Sequence, residues 1–75
     1  MSIKCAHIDV LKSFLTKFEH NLEHKPNGQS MYKFTDGLVL NVYDTGSVVF
    51  QGANPHGELA QNIIGLINQI NAQFE

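Results

Sequence analysis

Hydrophobic and polar positions repeat along the chain with two different periods. Over residues 8–24, Leu11, Phe14, Leu15, Phe18 and Leu22 recur at i, i+3, i+4, i+7 and i+11, one apolar stripe of an amphipathic helix. Lys12, Lys17, Glu19 and Glu23 fall mostly off that stripe. This helix is expected to stop before Pro26, because the residue ahead of a proline avoids the helical region. Lys25-Pro26-Asn27-Gly28 is loop chemistry. The period then changes to two. Residues 30–35 alternate, with Tyr32 and Phe34 on one side and Met31 and Lys33 on the other. Asp36-Gly37 predicts a tight hairpin turn. A second strand is expected over Leu38 to Tyr43 and a third over Ser47 to Gln51.

The turn at Asp44-Thr45-Gly46 sets the pairing of those last two strands. A three-residue loop, with Gly46 in the left-handed conformation, places Val42 opposite Val48 and Leu40 opposite Phe50. Leu38, Leu40, Val42, Val48 and Phe50 then share one face. A two-residue loop would set Val48 against Tyr43 and Phe50 against Asn41, mixing the faces, and a one-residue slip is penalised wherever one face is buried. The three-residue loop is therefore expected. Gly52-Ala53-Asn54-Pro55 ends the strand, with Asn54 predicted as N-cap and Pro55 at the first helical position. The second helix runs to about Gln73 on a stripe of Leu59, Ile63, Leu66, Ile67, Ile70 and Phe74. The order is helix, three antiparallel strands, helix. An apolar sheet face covered by two helices gives a two-layer α+β fold, one domain over residues 1–75.

A 75-residue chain buries little more than about 60% of its unfolded surface, so a partner or a second copy would add needed stability. Residues 59–74 lack charge but are rich in Asn and Gln, which argues against a membrane span. The first residues lack the apolar core of a signal peptide, and a single cysteine allows no internal disulfide; both agree with a cytoplasmic protein. Cys5 has no visible base to activate it. Gly-rich phosphate loops, paired cysteines and clustered carboxylates are absent from the sequence, so no enzyme activity, cofactor or metal is expected. His20 and His24 stand four apart, a metal-ligand spacing on a helix, but position 21 is Asn where the zinc-protease motif requires Glu. They are read as surface histidines near a helix C-terminus.

Charge is unevenly spread. All five basic residues are lysines, Lys4, Lys12, Lys17, Lys25 and Lys33. Residues 1–33 carry a formal +2 and residues 34–75 carry −4. The chain has no arginine, the residue whose planar fork grips phosphate and guanine.

Two surfaces stand out. The sheet face away from the helices holds Met31, Lys33, Val39, Asn41, Tyr43, Val49 and Gln51, a contact face for a partner chain or a flat ligand. The second helix presents neutral amides, Gln61, Asn62, Asn68 and Gln69 among them, and such a face is compatible with burial against another chain, where charge would be costly to desolvate. Gly65 would admit a close backbone there.

Tyr43-Asp44-Thr45-Gly46-Ser47-Val48-Val49-Phe50-Gln51-Gly52, followed by a helix, resembles the N-terminal domain of ribonuclease HIII, over about residues 30–65. That family typically shows a Tyr-x-Ser/Thr-Gly-Lys turn leading to Phe-Gln-Gly. The resemblance implies a TATA-binding-protein-like sheet that helps to grip an RNA/DNA hybrid, with Tyr43, Asn41, Thr45 and Gln51 as positions of interest. The family's turn lysine is Ser47 here.

Two functions follow as expectations. The first is a non-enzymatic protein-interaction module, a homodimer through the open sheet face or the uncharged second helix. The alternative is a nucleic-acid-binding module, for an RNA/DNA hybrid or duplex, using the open face with Lys33 and the lysines of the first helix against phosphate. No membrane partner is expected.

Overall fold

The computed structural model describes residues 1–74. Its elements in chain order are β1 (Ser2–Lys4), α1 (Ile8–Leu15), β2 (His20–Lys25), β3 (Gln29–Phe34), β4 (Leu38–Tyr43), β5 (Ser47–Gly52) and α2 (Glu58–Phe74). The strands form one antiparallel sheet in the order β1-β5-β4-β3-β2. The α+β class is as expected, but the sheet has five strands, not three.

The additional strands lie at the two edges. β2 occupies residues read as the end of the first helix. Phe18 and Leu22 are four apart, a spacing that a helix and a strand both accept, so the stripe does not distinguish them. Three features end α1 at Leu15. Thr16 Oγ1 donates to Ser13 O at 2.7 Å. The Lys17 and Phe18 amides bond to Phe14 O and Leu15 O, tightening the last turn. The six residues from His20 then gain a full ladder with β3, from His20 opposite Phe34 to Lys25 opposite Gln29. The segment read as a helix stop is the hairpin turn between them: Pro26–Gly28 form a tight three-residue turn in which Asn27 and Gly28 both have positive φ, 69° and 73°. β1 is too short to show a period. It pairs Ile3 with Val48, and Ile3 packs against the core.

The central hairpin follows its expected register. Leu40 pairs with Phe50 and Val42 with Val48, and Gly46 closes the three-residue loop at φ 97°, its amide bonded to Tyr43 O at 2.9 Å. The β3–β4 turn holds one residue more than its Asp-Gly signal implies, since Lys33 pairs with Val39. Thr35, Asp36 and Gly37 lie in the loop, and Leu38 N donates to Asp36 Oδ1 at 2.9 Å.

Asn54 does not cap α2, which begins four residues later at Glu58. Asn54 sits in the left-handed region at φ 56° and donates from Nδ2 to Asp36 O at 2.9 Å, tying the β5–α2 connection to the β3–β4 turn. From α2, Ala60, Ile63, Ile67 and Ile70 are buried, and from α1 Leu11 and Leu15, all against Tyr32, Phe34, Leu38, Leu40, Val42, Val48 and Phe50 of the sheet. Each fully buried Leu, Ile or Val contributes about 1.5–3 kcal/mol of transfer free energy. Cys5 is a member of this core. Asn71 of α2 holds two segments together. Its side chain accepts from Ala6 N at 2.6 Å and donates to Lys4 O at 2.9 Å, clasping the β1–α1 link to α2.

Candidate nucleic-acid interface

With both helices on one side, the other side of the sheet is uncovered. Cross-strand partners point to the same side, so the registers order this face into rows. The central row runs Ser2, Val49, Asn41, Met31, Glu23 across all five strands. Beside it runs Gln51, Val39, Lys33, Asn21. At the other end Lys4 pairs with Ser47, and Tyr43 with Gln29 and then Lys25. The seven residues expected on the open face are all on it. Met31, Val39, Tyr43 and Val49 are half-buried among their neighbours, while Lys33 and Gln51 are exposed.

Asn41 is the exception, only 3% exposed although it lies on the open side. Its amide is the middle of a diagonal chain. Gln29 Nε2 donates to Asn41 Oδ1 at 2.7 Å, and Asn41 Nδ2 donates to Gln51 Oε1 at 2.7 Å. The chain fixes three amides across β3, β4 and β5. It leaves the Gln29 and Gln51 amides with further donors and acceptors that the chain does not use. Gln29 lies one residue ahead of the strand expected from the alternation; its place two before Met31 is the signal that could have found it.

The charge on this face is also larger than the sequence suggests. β1 adds Lys4 and β2 adds Lys25, so three of the five lysines join the face. Among the described residues its one acid is Glu23, whose carboxylate is ion-paired with Lys25. The hydrogen bond from Lys25, then its charge, with Lys33 beyond, hold the Glu23 carboxyl below its ordinary value. Lys4 Nζ donates to Thr45 O at 3.3 Å, at the tip of the β4–β5 turn. The other described acids lie in turns or connections (Asp36, Asp44, Glu19) or in helices (Asp9, Glu58). Within a chain of net charge −2, the open face carries a formal +2. Lys12 lies on α1 and Lys17 just after it, with Lys17 Nζ 5.1 Å from the Phe14 ring centroid, so both belong to the helical layer and not to this surface.

Two concavities of about 400 and 390 Å³ lie away from the open face, one lined by α1 residues and Lys17, the other by Phe18, Glu19, Thr35, Asp36 and the start of α2. The open face presents hydrogen-bonding groups and charge on its exposed strands. On α2, Gln61, Asn62, Asn68 and Gln69 are exposed and separate from the sheet face. His20 and His24 share the helix side of β2, where His20 Nδ1 lies 2.6 Å from Phe18 O and His24 Nδ1 lies 3.3 Å from Ser30 Oγ. Among the described residues there is no group of three or more His, Cys, Asp or Glu able to hold a metal, and no helix is long and apolar enough to cross a membrane.

Comparison of the chain with protein-family models, with characterised proteins and with solved structures finds no match in any of the three.

Proposed function

We propose that the open sheet face binds the sugar–phosphate backbone of a nucleic-acid duplex, with an RNA/DNA hybrid as the first candidate. The observation that carries this reading is the gathering of Lys4, Lys25 and Lys33 on one surface around a fixed amide chain, with a single, paired acid. Lysines contact phosphate as point charges, and amides serve sugar and phosphate oxygens; such contacts position a protein on a duplex without reading its sequence. A second copy stacked face to face would bring six lysines against two carboxylates, which disfavours the same face as a homodimer interface.

The resemblance to the N-terminal domain of ribonuclease HIII supports the choice of hybrid and of a TATA-binding-protein-like sheet. The family's turn lysine is Ser47 in this chain, and Ser47 pairs directly with Lys4 on β1. The cation missing from the turn is supplied from the neighbouring strand.

The test is fluorescence anisotropy of a labelled hybrid long enough to span the longest dimension of the molecule, 31 Å. Two to three phosphate contacts give a log–log salt slope of roughly −2 to −3, a loss of about 10- to 40-fold in affinity for a fourfold rise in salt. Lys4→Ser is expected to weaken binding, and Lys4→Ser with Ser47→Lys to restore it. A hybrid affinity indifferent to salt and to Lys33→Glu contradicts the proposal.

A further inference from the structure

We propose that β2 is a self-pairing edge, through which two copies of this chain join antiparallel into one ten-stranded sheet. The two sheet edges differ. β1 is only three residues long, a common way of blunting an edge. β2 is six residues long, and five of them are exposed. Among the described residues, no side chain and no other segment bonds to its outer backbone edge. Lys25, the one lysine on this strand, is held by an ion pair to Glu23 within the strand. Leu22 is 43% exposed although it shares the helix-side row with Tyr32, because the helical layer stops short of β2.

The sequence of β2 selects both the occupant and the register. A symmetric pair that keeps its helices on one side must set some residue opposite its own copy. Glu23 opposite Glu23 brings two carboxylates together. Asn21 opposite Asn21, or His24 opposite His24, leaves only three strand residues overlapped. Leu22 opposite Leu22 overlaps five, His20 to His24. It buries the two exposed leucines on each other. Registers shifted by one place the helices on opposite sides and set Leu22 against Asn21 or Glu23, an apolar group against polar ones. β2 is thus self-complementary in one arrangement, which points to a second copy as its partner. That arrangement sets the two open faces side by side, but it rests on β2 alone and stands whether or not nucleic acid binds.

The experiment uses the full chain without nucleic acid. Sedimentation equilibrium is expected to show a dimer, and Leu22→Asp, at an exposed position, to weaken it at least about tenfold while leaving the thermal melt of the monomer cooperative. Under mild oxidation Leu22→Cys is expected to give a crosslinked dimer, since directly opposed strand residues lie within disulfide reach. Glu23→Cys, two places from its copy in this register, is expected to stay uncrosslinked, and the parent chain too, whose Cys5 is buried. A monomer at every concentration, a dimer unmoved by Leu22→Asp, or crosslinking through Glu23→Cys and not Leu22→Cys overturns the proposal.

Discussion

Asn41 separates what holds this sheet together from what the sheet presents. It lies between Val49 and Met31 in the central row, it is almost wholly buried, and among the described residues its side-chain bonds run to Gln29 and Gln51. Asn41→Val removes both bonds, each worth about 1 kcal/mol net. Gln51 is exposed and Gln29 half-buried, so both rebond to water and neither is stranded. Against that loss stands a β-branched apolar side chain in a row that already holds Val49 and Met31, a gain of about 1–2 kcal/mol. The two nearly cancel, and the stability measured by urea titration is expected to stay within about 1 kcal/mol of the parent chain. Asn41→Ala loses the bonds without the packing and is expected to cost about 1–3 kcal/mol. Hybrid affinity should fall in Asn41→Val by about two- to tenfold, the worth of one neutral hydrogen bond and of the order imposed on its neighbours. If Asn41→Val costs about 3 kcal/mol or more, the amide chain belongs to the core and not to recognition. If it leaves hybrid binding as it was, the chain has no part in the interface.

Gly65 lies mid-helix on the exposed side of α2, where an added Cβ meets nothing within 4 Å; Gly65→Ala is expected to stabilise the fold by about 1 kcal/mol, raising the melting temperature by roughly 4–8 °C. A drop instead would show that this helix face is packed against a second chain. Gly28 has φ 73° and its Cβ would press into the Asp44 carboxylate, so Gly28→Ala is expected to cost about 1–2 kcal/mol by urea titration. Burial pushes the Tyr32 phenol above its ordinary value of 10.0. The unfolded chain then releases this proton first, so the contribution is intact below pH 10 and is lost as pH rises through the folded value. Tyr32→Phe is expected to flatten the fall of stability above that pH, and an unchanged slope would refute the assignment.

The parts legible in the sequence are those where burial enforces a period. β3, β4 and β5 alternate because one face is core, and the Asp44–Gly46 loop length follows because only one register keeps Leu40, Val42, Val48 and Phe50 together. The α2 stripe reads clearly at its centre for the same reason, through Ile63, Ile67 and Ile70; but Leu66, expected on it, is neither in the core nor packed against it, the small Ala60 is buried instead, and Phe74 at its end is half exposed beside His7. The edge strands carry no such enforcement. β2 is exposed on both faces, so its only apolar residue, Leu22, joins a helical stripe without conflict. β1 holds one inward residue, Ile3, and three residues cannot establish a period. What those edges add to the open face, Lys4 and Lys25, is therefore hidden: Lys4 arrives through the pairing of β1 with the distant β5, and Lys25 through a hairpin whose first strand reads as helix. The alternation places Asn41 on the correct face, but its burial depends on Gln29 and Gln51 reaching across diagonally, which no local pattern encodes.

The open sheet face stands or falls as the binding surface on one experiment. Backbone amide chemical shifts recorded while a short RNA/DNA hybrid is titrated in at low salt test it most directly. The account predicts shifts confined to the face, at Lys4, Lys25, Met31, Lys33, Asn41, Tyr43 and Val49, which reverse when salt is added. Shifts confined to α1 and α2, or none at all at low salt, would contradict it.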